Sequence, residues 1–145
     1  MVKREISVII LNDKNQILLQ KRSENKRSYP NMWALCTGHV EENESFKEAA
    51  IRELKEELGV NIKFDELYSL ADGKFDIYEE NFITKFYIIN CNLNEKDFII
   101  QKEELSSVKW YDIDKIINMI KDNNNTIVYK KNRIILFEYL LNDER

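Results

Sequence analysis

The segment Gly38–Val60, GHVEENESFKEAAIRELKEELGV, limits what this chain can fold into more than any other. It holds seven glutamates against three lysine or arginine residues, and it contains two of the three glycines of the chain. Most residues from Glu44 to Leu58 are good helix formers, and Gly59 follows them where a glycine commonly ends a helix. The segment therefore predicts a helix over Glu44–Leu58, with Asn43 as a candidate N-cap.

The helix has three predicted sides, because successive residues turn by about 100°. The apolar side, which must face the core, consists of Ala50, Ile51, Leu54 and Leu58. The solvent-facing side consists of Glu48, Arg52 and Lys55. Glu53, Glu56 and Glu57 share a neighbouring strip, since they stand at positions i, i+3 and i+4. Carboxylates this close repel each other, and a hard divalent cation with oxygen ligands relieves such repulsion. Charge alone leaves two interpretations open, a solvated helix face and a metal site.

Composition sets broad limits on the remaining interpretations. With 145 residues, 43% of them hydrophobic, and no linker or repeat, we expect a single globular domain spanning residues 1–145. A net charge of -4 gives no basic field for a nucleic-acid polymer or an anionic membrane. The spacing of Cys36 and Cys91 matches no metal motif, so they predict reduced buried thiols. The N-terminus lacks a signal-peptide cleavage site, and we therefore expect a cytoplasmic protein.

The order of strands and helices predicts the fold class. Apolar runs predict strands at ISVIIL, QILLQKR, WALCT, ITKFYIINCNL and SVKWYDI. Looser alternation occurs in NIKFDELYSLA and FDIYEENF. Amphipathic patterns predict two closing helices, IDKIINMIKDN and NRIILFEYLLNDE. Strands and helices in this order favour an α/β sandwich with a mixed central sheet.

The acidic segment also fits a fixed pattern, G-x5-E-x7-R-E-U-x-E-E-x-G-U, in which U is aliphatic. The matched positions are Gly38, Glu44, Arg52, Glu53, Leu54, Glu56, Glu57, Gly59 and Val60. In this the chain resembles the Nudix box, the signature of the Nudix hydrolase superfamily, to which MutT-like pyrophosphatases belong. The resemblance implies an α/β/α sandwich with Mg²⁺ or Mn²⁺ bound along the helix.

The resemblance also implies roles for the matched residues. Glu56 and Glu57 correspond to the principal metal ligands, and Glu53 corresponds to a further ligand or the base that activates water. The carbonyl of Gly38 is a candidate metal ligand as well. The positions with an implied structural role, which hold the loop to the helix or let the chain leave it, are Glu44, Arg52 and Gly59. The implied reaction is metal-dependent hydrolysis of a diphosphate bond in a nucleoside-diphosphate-X substrate.

Residues outside the box add further candidates. The basic loop QKRSENKRSYPNMW resembles the segment that precedes the box in many Nudix proteins. Its candidate substrate-binding residues are Arg22, Lys26, Arg27 and Trp33, with a solvated loop and core packing as the alternatives. Glu104 is the candidate for an additional catalytic acid, with an ordinary surface acid as its alternative. The implied partner is a small diphosphate-containing molecule, such as a nucleotide. The oligomeric state, including a homodimer, is left open.

Two departures from the commonest box define a rival function. His39, the single histidine, and Asn43 stand where many boxes carry glycine, and GHV after a tryptophan-containing strand resembles the isopentenyl-diphosphate isomerase branch. That branch requires a cysteine before the box glycine, where this chain has Thr37. Its second catalytic acid would fall near Glu80–Phe82, at a position that phenylalanine occupies. We therefore expect a hydrolase, with an isomerase-like enzyme and a non-catalytic nucleotide sensor as alternatives.

Overall fold

The computed structural model describes residues 2–122 and 124–143. The strands in this part of the chain are β1 (Lys3–Leu11), β2 (Gln16–Arg22), β3 (Trp33–Ala34), β4 (Cys36–His39), β5 (Tyr68–Ser69), β6 (Ile77–Glu79), β7 (Phe82–Asn90) and β8 (Leu105–Asp112). The α-helices are α1 (Phe46–Leu58), α2 (Ile113–Asp122) and α3 (Ile134–Asn142). Among the described residues, no helix is long and apolar enough to cross a membrane.

The strands form one mixed sheet. Its main order is β3-β2-β1-β7-β5, with β4 beside β1, β6 beside β7 and β8 beside β2. The β1–β7 ladder is parallel and runs from Lys3↔Phe82 to Leu11↔Asn90. The other ladders between these strands are antiparallel. The predicted mixed sheet is confirmed.

The sheet opens between β1 and β2. These strands pair at Leu11↔Ile17, beside the turn that joins them. Farther from the turn, β1 pairs with β4 from Val8↔Cys36 to Glu5↔His39. In the same stretch β2 pairs instead with β3 and β8. The two halves of the sheet therefore diverge, and the cleft described below lies at the opening.

Helices cover both faces of the sheet. Successive side chains of β1 point to opposite faces, so this strand contributes to two separate hydrophobic cores. One core joins Ile6, Val8 and Ile10 of β1 to the apolar side of α1. The other joins Ile9 and Leu11 to α2 and α3. This arrangement confirms the predicted α/β/α sandwich.

Both ends of α1 have specific caps. Ser45 Oγ accepts a hydrogen bond from the Glu48 amide at 3.1 Å, and Glu48 Oε1 accepts one from the Ser45 amide at 2.8 Å. This capping box starts the helix at Phe46, so the prediction of Asn43 as the N-cap was wrong. Gly59 ends the helix with φ of 69°, a left-handed conformation that glycine adopts at little cost.

The remaining predicted elements are present with adjusted boundaries. WALCT forms two short strands, β3 and β4, separated by Leu35. Both predicted closing helices form, and the last predicted positions, Asn123 and Glu144, lie outside the described residues. Cys36 and Cys91 are free thiols, the first buried and the second half-buried.

Candidate active site

Glu53, Glu56 and Glu57 of α1 meet the end of β4 at the opening of the sheet. A Cβ atom added at Gly38 would lie 2.3 Å from Cδ of Glu53, so the absence of a side chain at Gly38 lets this carboxylate approach the strand. The three glutamates share one strip of the helix but differ in exposure. Glu56 is exposed, Glu53 is half-buried and Glu57 is 7% exposed.

Arg52 connects the helix to the loop that precedes it. Its Nε and Nη2 donate to the two carboxylate oxygens of Glu44 at 2.7 and 3.0 Å. Nη2 also donates to the His39 carbonyl at 2.8 Å. Nη1 donates to Glu53 Oε1 at 2.8 Å and to Glu56 Oε2 at 3.3 Å. The prediction that Arg52 faces solvent was wrong, because these partners draw its guanidinium into a half-buried network.

The same network shifts two pKa values in opposite directions. The hydrogen bond from Arg52 is the main cause that lowers the pKa of Glu44. The hydrogen bond to Glu44 is the main cause that raises the pKa of Arg52. Both groups therefore remain charged at neutral pH, and the loop stays attached to α1 through an ion pair with two hydrogen bonds.

Glu57 is the most strongly perturbed carboxyl group of the site. Its Oε1 accepts a hydrogen bond from Nε2 of Gln20 at 2.8 Å. Burial raises the pKa of Glu57 to about 8, the Gln20 hydrogen bond opposes this shift, and the nearby Glu53 and Glu104 add to it. The side-chain amide oxygen of Gln20, Oε1, is buried without a hydrogen-bond partner in the described chain. No lysine or arginine of the described chain forms an ion pair with Glu57, although other cations line the cleft.

The residues fit a hard divalent cation by their chemistry. Carboxylates and a main-chain carbonyl are the oxygen ligands that Mg²⁺ prefers, and the carboxyl groups of Glu53 and Glu57 are close enough to repel each other. Within residues 2–122 and 124–143, no three acidic, histidine or cysteine side chains converge closely enough to enclose an ion. Glu53 and Glu56 instead contact Arg52. The contact with Arg52 uses one oxygen of each carboxylate, Oε1 of Glu53 and Oε2 of Glu56.

A cleft of about 770 Å³ lies at the opening of the sheet, in front of these acids. Its acidic lining residues are Glu5, Glu41, Glu53, Glu56, Glu57 and Glu104. Its basic lining residues are Arg22, Lys26, Arg52, Lys130 and Arg133. A cleft lined by both signs is suited to an anionic ligand that binds together with a cation, because basic side chains attract the anion and acidic ones attract the cation.

The structure brings some of the predicted substrate-binding residues to this cleft and not others. Arg22 and Lys26 line it, and Lys26 forms an ion pair with Glu104, which also lines it. Arg27 is exposed and does not line the cleft. Trp33 does not line it either, because its ring packs edge-on against Tyr111 with centroids 5.3 Å apart. Trp33 therefore packs against the core, which is the alternative to its predicted role in substrate binding.

The segment after α2 supplies cleft residues that the sequence did not suggest. It joins the sheet beside β3, where Trp33 N donates to the Thr126 carbonyl at 2.9 Å and Val128 N donates to the Trp33 carbonyl at 3.0 Å. Tyr129 then reaches Leu35, whose amide donates to the phenol oxygen at 2.9 Å. Burial raises the pKa of Tyr129 to about 12, so the phenol stays neutral.

This pairing also places Lys130 and Arg133 at the cleft, and neither has an ion-pair partner among the described residues. Both lie seventy or more positions after the box, and only the folded sheet brings them near it. Gln20 was missed for a different reason, because it is an ordinary polar residue within a strand pattern. The sequence contains no local pattern that would mark Lys130, Arg133 or Gln20 as a cleft residue.

Proteins of known family resemble this chain in sequence. A family model described as NUDIX domain matches residues 1–130. An uncharacterised Nudix hydrolase of Listeria innocua is 33% identical over 112 residues, 77% of this chain and 64% of its own length. An isopentenyl-diphosphate Delta-isomerase of Aliivibrio fischeri is 31% identical over 80% of this chain and 70% of its own length. A prenyl-diphosphate phosphatase of Methanosarcina mazei is 27% identical over 83% and 69%. The chain thus spans less than two thirds of the Listeria protein.

Solved structures agree with this relationship at the level of the fold. DR0079 from Deinococcus radiodurans has a TM-score of 0.75 at 21% identity, over 95% of this chain and 82% of that protein. The MutT protein from Methanosarcina mazei has a TM-score of 0.71 at 23% identity, over 98% and 96%. The family model, the relatives and the fold agree with the motif from Gly38 to Val60, and the chain belongs to the Nudix hydrolase family.

Proposed function

We propose that this protein hydrolyses a diphosphate bond in a small molecule of the nucleoside-diphosphate-X type, with Mg²⁺ or Mn²⁺ as its cofactor. The observation that carries the proposal is the buried carboxyl group of Glu57, held by Gln20 and placed beside Glu53 at the cleft. A buried carboxyl group with a strongly raised pKa marks a functional site when it faces a cleft. An acid on a solvated helix face stays exposed, because burying an unpaired carboxylate is unfavourable.

The cation site in this proposal consists of Glu53, Glu56 and Glu57 with the carbonyl of Gly38. When bound, a divalent cation neutralises phosphate oxygens and lowers the pKa of a water molecule. Arg52 donates hydrogen bonds to the first two carboxylates and so orients them. Gln20 orients the third, since its amide fixes one carboxylate oxygen of Glu57.

The basic residues of the cleft bind the substrate phosphates in this proposal. They are Arg22, Lys26, Lys130 and Arg133. Nε of Arg22 donates to the Ser28 carbonyl at 2.9 Å, which fixes the guanidinium and leaves its other nitrogens for the ligand. Cations on the wall opposite to an acidic cluster hold a polyanion against that cluster, as electrostatic complementarity requires.

The proposed reaction adds the oxygen of water to one phosphorus and breaks the bond from that phosphorus to the bridging oxygen. The departing phosphate keeps the bridging oxygen, and the water gives up a proton to a carboxylate. Glu53 and Glu104 are the two candidates for that base. Each has a cationic neighbour, since Glu104 is paired with Lys26 and Glu53 with Arg52.

An isomerase acting on isopentenyl diphosphate is less well supported. Thr37 occupies the place of the required cysteine, and its hydroxyl lies 3.0 Å from the Ser7 hydroxyl in an internal hydrogen bond. Phe82 lines the cleft at the place of the second acid. Neither side chain can move a proton to or from a carbon atom. Incubation with isopentenyl diphosphate, followed by NMR, tests this alternative, and we expect no allylic product.

The proposed function is tested with a substrate screen and matched variants. The panel holds nucleoside triphosphates, nucleotide sugars, dinucleoside polyphosphates and prenyl diphosphates, each with Mg²⁺. Glu56→Gln and Glu57→Gln are compared with Glu42→Gln, an exposed position of the same segment that does not line the cleft. We expect hydrolysis by the wild type and Glu42→Gln, and loss of it in the other two. Full turnover by both cleft variants would refute the site.

A further inference from the structure

Two polar residues that belong to the sheet lie side by side on the cleft floor. Glu5 of β1 and Thr84 of β7 are partners in the parallel ladder. Paired residues of neighbouring strands are on the same face of the sheet, with the strands about 4.8 Å apart. Both side chains line the cleft. They therefore form one polar patch on its floor.

Thr84 has an unpaired hydroxyl group. The residue is 3% exposed, and among the described residues no group hydrogen-bonds to its Oγ1. A buried hydroxyl without a partner destabilises a protein, and such groups are rare. Ser7 on the same floor is different, because its hydroxyl lies 3.0 Å from that of Thr37. One hydroxyl of the floor is satisfied within the protein, and the other is left for a ligand.

Glu5 adds an acceptor to the same patch. It is half-buried, and no described lysine, arginine or histidine forms an ion pair with it. His39 of β4 is its cross-strand neighbour and acts on it electrostatically, without an ion pair between them. A carboxylate accepts hydrogen bonds and donates none. An apolar chain placed over this patch would bury the hydroxyl without a partner and bury the carboxylate further, which is unfavourable. A group with hydroxyl or amino hydrogens would satisfy both.

We propose that Glu5 and Thr84 form a hydrogen-bonding subsite for the X group of the substrate, and that this group carries hydroxyl or amino donors, as a sugar or nucleoside does, and is not an isoprenoid chain. The inference rests on the proposed function for the placement of the diphosphate at the helix glutamates. It assigns Thr84 the role of a specificity-determining residue.

Kinetics on two kinds of diphosphate test the subsite. UDP-glucose, ADP-ribose and dGTP represent donor-bearing substrates, and geranyl diphosphate represents an isoprenoid. We expect the wild type to have a higher kcat/KM on at least one of the first three than on geranyl diphosphate. Thr84→Val keeps the shape of the side chain and should lower kcat/KM on that substrate about fivefold through KM, the effect of one lost hydrogen bond. Turnover of geranyl diphosphate should change less than twofold.

Ser7→Ala is the matched control, since it removes a hydroxyl that already has an internal partner. We expect this variant to lower Tm without changing selectivity between the two kinds of substrate. Thr84→Val should keep or raise Tm, because it removes an unsatisfied buried group. Preference of the wild type for geranyl diphosphate, or an equal effect of Thr84→Val on both kinds of substrate, would contradict the subsite.

Binding separates this inference from the proposed function. Isothermal titration calorimetry with the same four compounds reports affinity directly, and Ca²⁺ replaces Mg²⁺ because it also takes oxygen ligands and keeps the acids from repelling the diphosphate. If the wild type hydrolyses none of them, the proposed hydrolysis fails while the subsite is still judged by affinity. Tighter binding of a donor-bearing compound, lost in Thr84→Val, supports the subsite. Equal affinities for all four compounds, or no binding of any donor-bearing one at millimolar concentration, contradict it.

Discussion

The side-chain amide of Gln20 on β2 donates a 2.8 Å hydrogen bond to the buried carboxylate of Glu57 on α1. This contact joins the two halves of the site, because α1 covers one face of the sheet and β2 borders its opening. It fixes the orientation of Glu57 but leaves most of the cost of burying a charge uncompensated. The structure therefore contains a carboxyl group that becomes fully stable as an anion only beside a positive charge.

Stability without metal should depend on the ionisation of Glu57. Its pKa is about 8 in the folded protein and near 4.5 in the unfolded chain, so between these values only the folded state holds the proton. The free energy of unfolding should therefore fall as pH rises from 4.5 to 8. In EDTA we expect Tm at pH 9 to be on the order of 5 °C lower than at pH 6. Calorimetry should show a much weaker loss in Glu57→Gln, and an equal loss in both proteins would remove the basis of this account.

Arg52 should matter for stability as well as for activity. Its guanidinium bonds to Glu44, to the His39 carbonyl and to two glutamates of the site. Arg52→Gln should leave the half-buried Glu44 without its partner and destabilise the protein by about 2 kcal/mol. Lys55→Gln removes an exposed cation one turn along the same helix and is the control, expected to change Tm by less than about 2 °C. Urea denaturation gives the free energy of unfolding of each variant, and thermal denaturation gives its Tm. Equal urea midpoints for Arg52→Gln and Lys55→Gln would show that the network does not contribute to stability.

A side chain at Gly38 should displace the carboxyl group of Glu53. An alanine Cβ would overlap the carboxyl group of Glu53, at 2.3 Å from its Cδ. We expect Gly38→Ala to displace that carboxylate and lower kcat at saturating Mg²⁺ by at least about a hundredfold, since misplacement of about 1 Å has effects of this size. Circular dichroism checks that the fold is kept. A variant with wild-type kcat would show that the contact between Gly38 and Glu53 has no role in catalysis.

Lys130 and Lys131 provide a matched pair for the basic wall of the cleft. They are adjacent and equal in charge, but only Lys130 lines the cleft. Lys130→Gln should raise KM for a diphosphate substrate about three- to tenfold and leave kcat within twofold, the effect of losing one charged hydrogen bond in partial contact with solvent. Lys131→Gln should change neither constant. Equal effects of both substitutions would indicate only a general charge effect, which added salt would weaken in both proteins.

Local patterns predicted much of this molecule because they depend on neighbouring residues. The strand runs, the helix around Glu53 and the cap at Gly59 follow from propensity and periodicity, and each is present. The N-cap was misplaced by two residues, since Ser45 and Glu48 satisfy each other in a capping box. The prediction that Arg52 faces solvent was wrong because a helical projection omits partners outside the helix, such as the His39 carbonyl.

The cleft depends on contacts that no local pattern contains. Gln20 reaches Glu57 across 37 positions, and the Tyr129 hydroxyl meets the Leu35 amide across 94. The unpaired hydroxyl of Thr84 is likewise defined only by what surrounds it in the folded sheet. The spacing of the box predicted which acids lie together, but the walls that select a substrate come from the tertiary structure.

Hydrolysis in ¹⁸O-labelled water tests the central claim most directly. The best substrate of the panel is incubated with Mg²⁺ and wild type, Glu57→Gln or Glu42→Gln, and the products are analysed by mass spectrometry. The account predicts one ¹⁸O atom in one of the two phosphate products, no reaction in EDTA, and a rate at least about a hundredfold lower in Glu57→Gln alone. Products formed by Glu57→Gln at the wild-type rate, or products without the label, would contradict it.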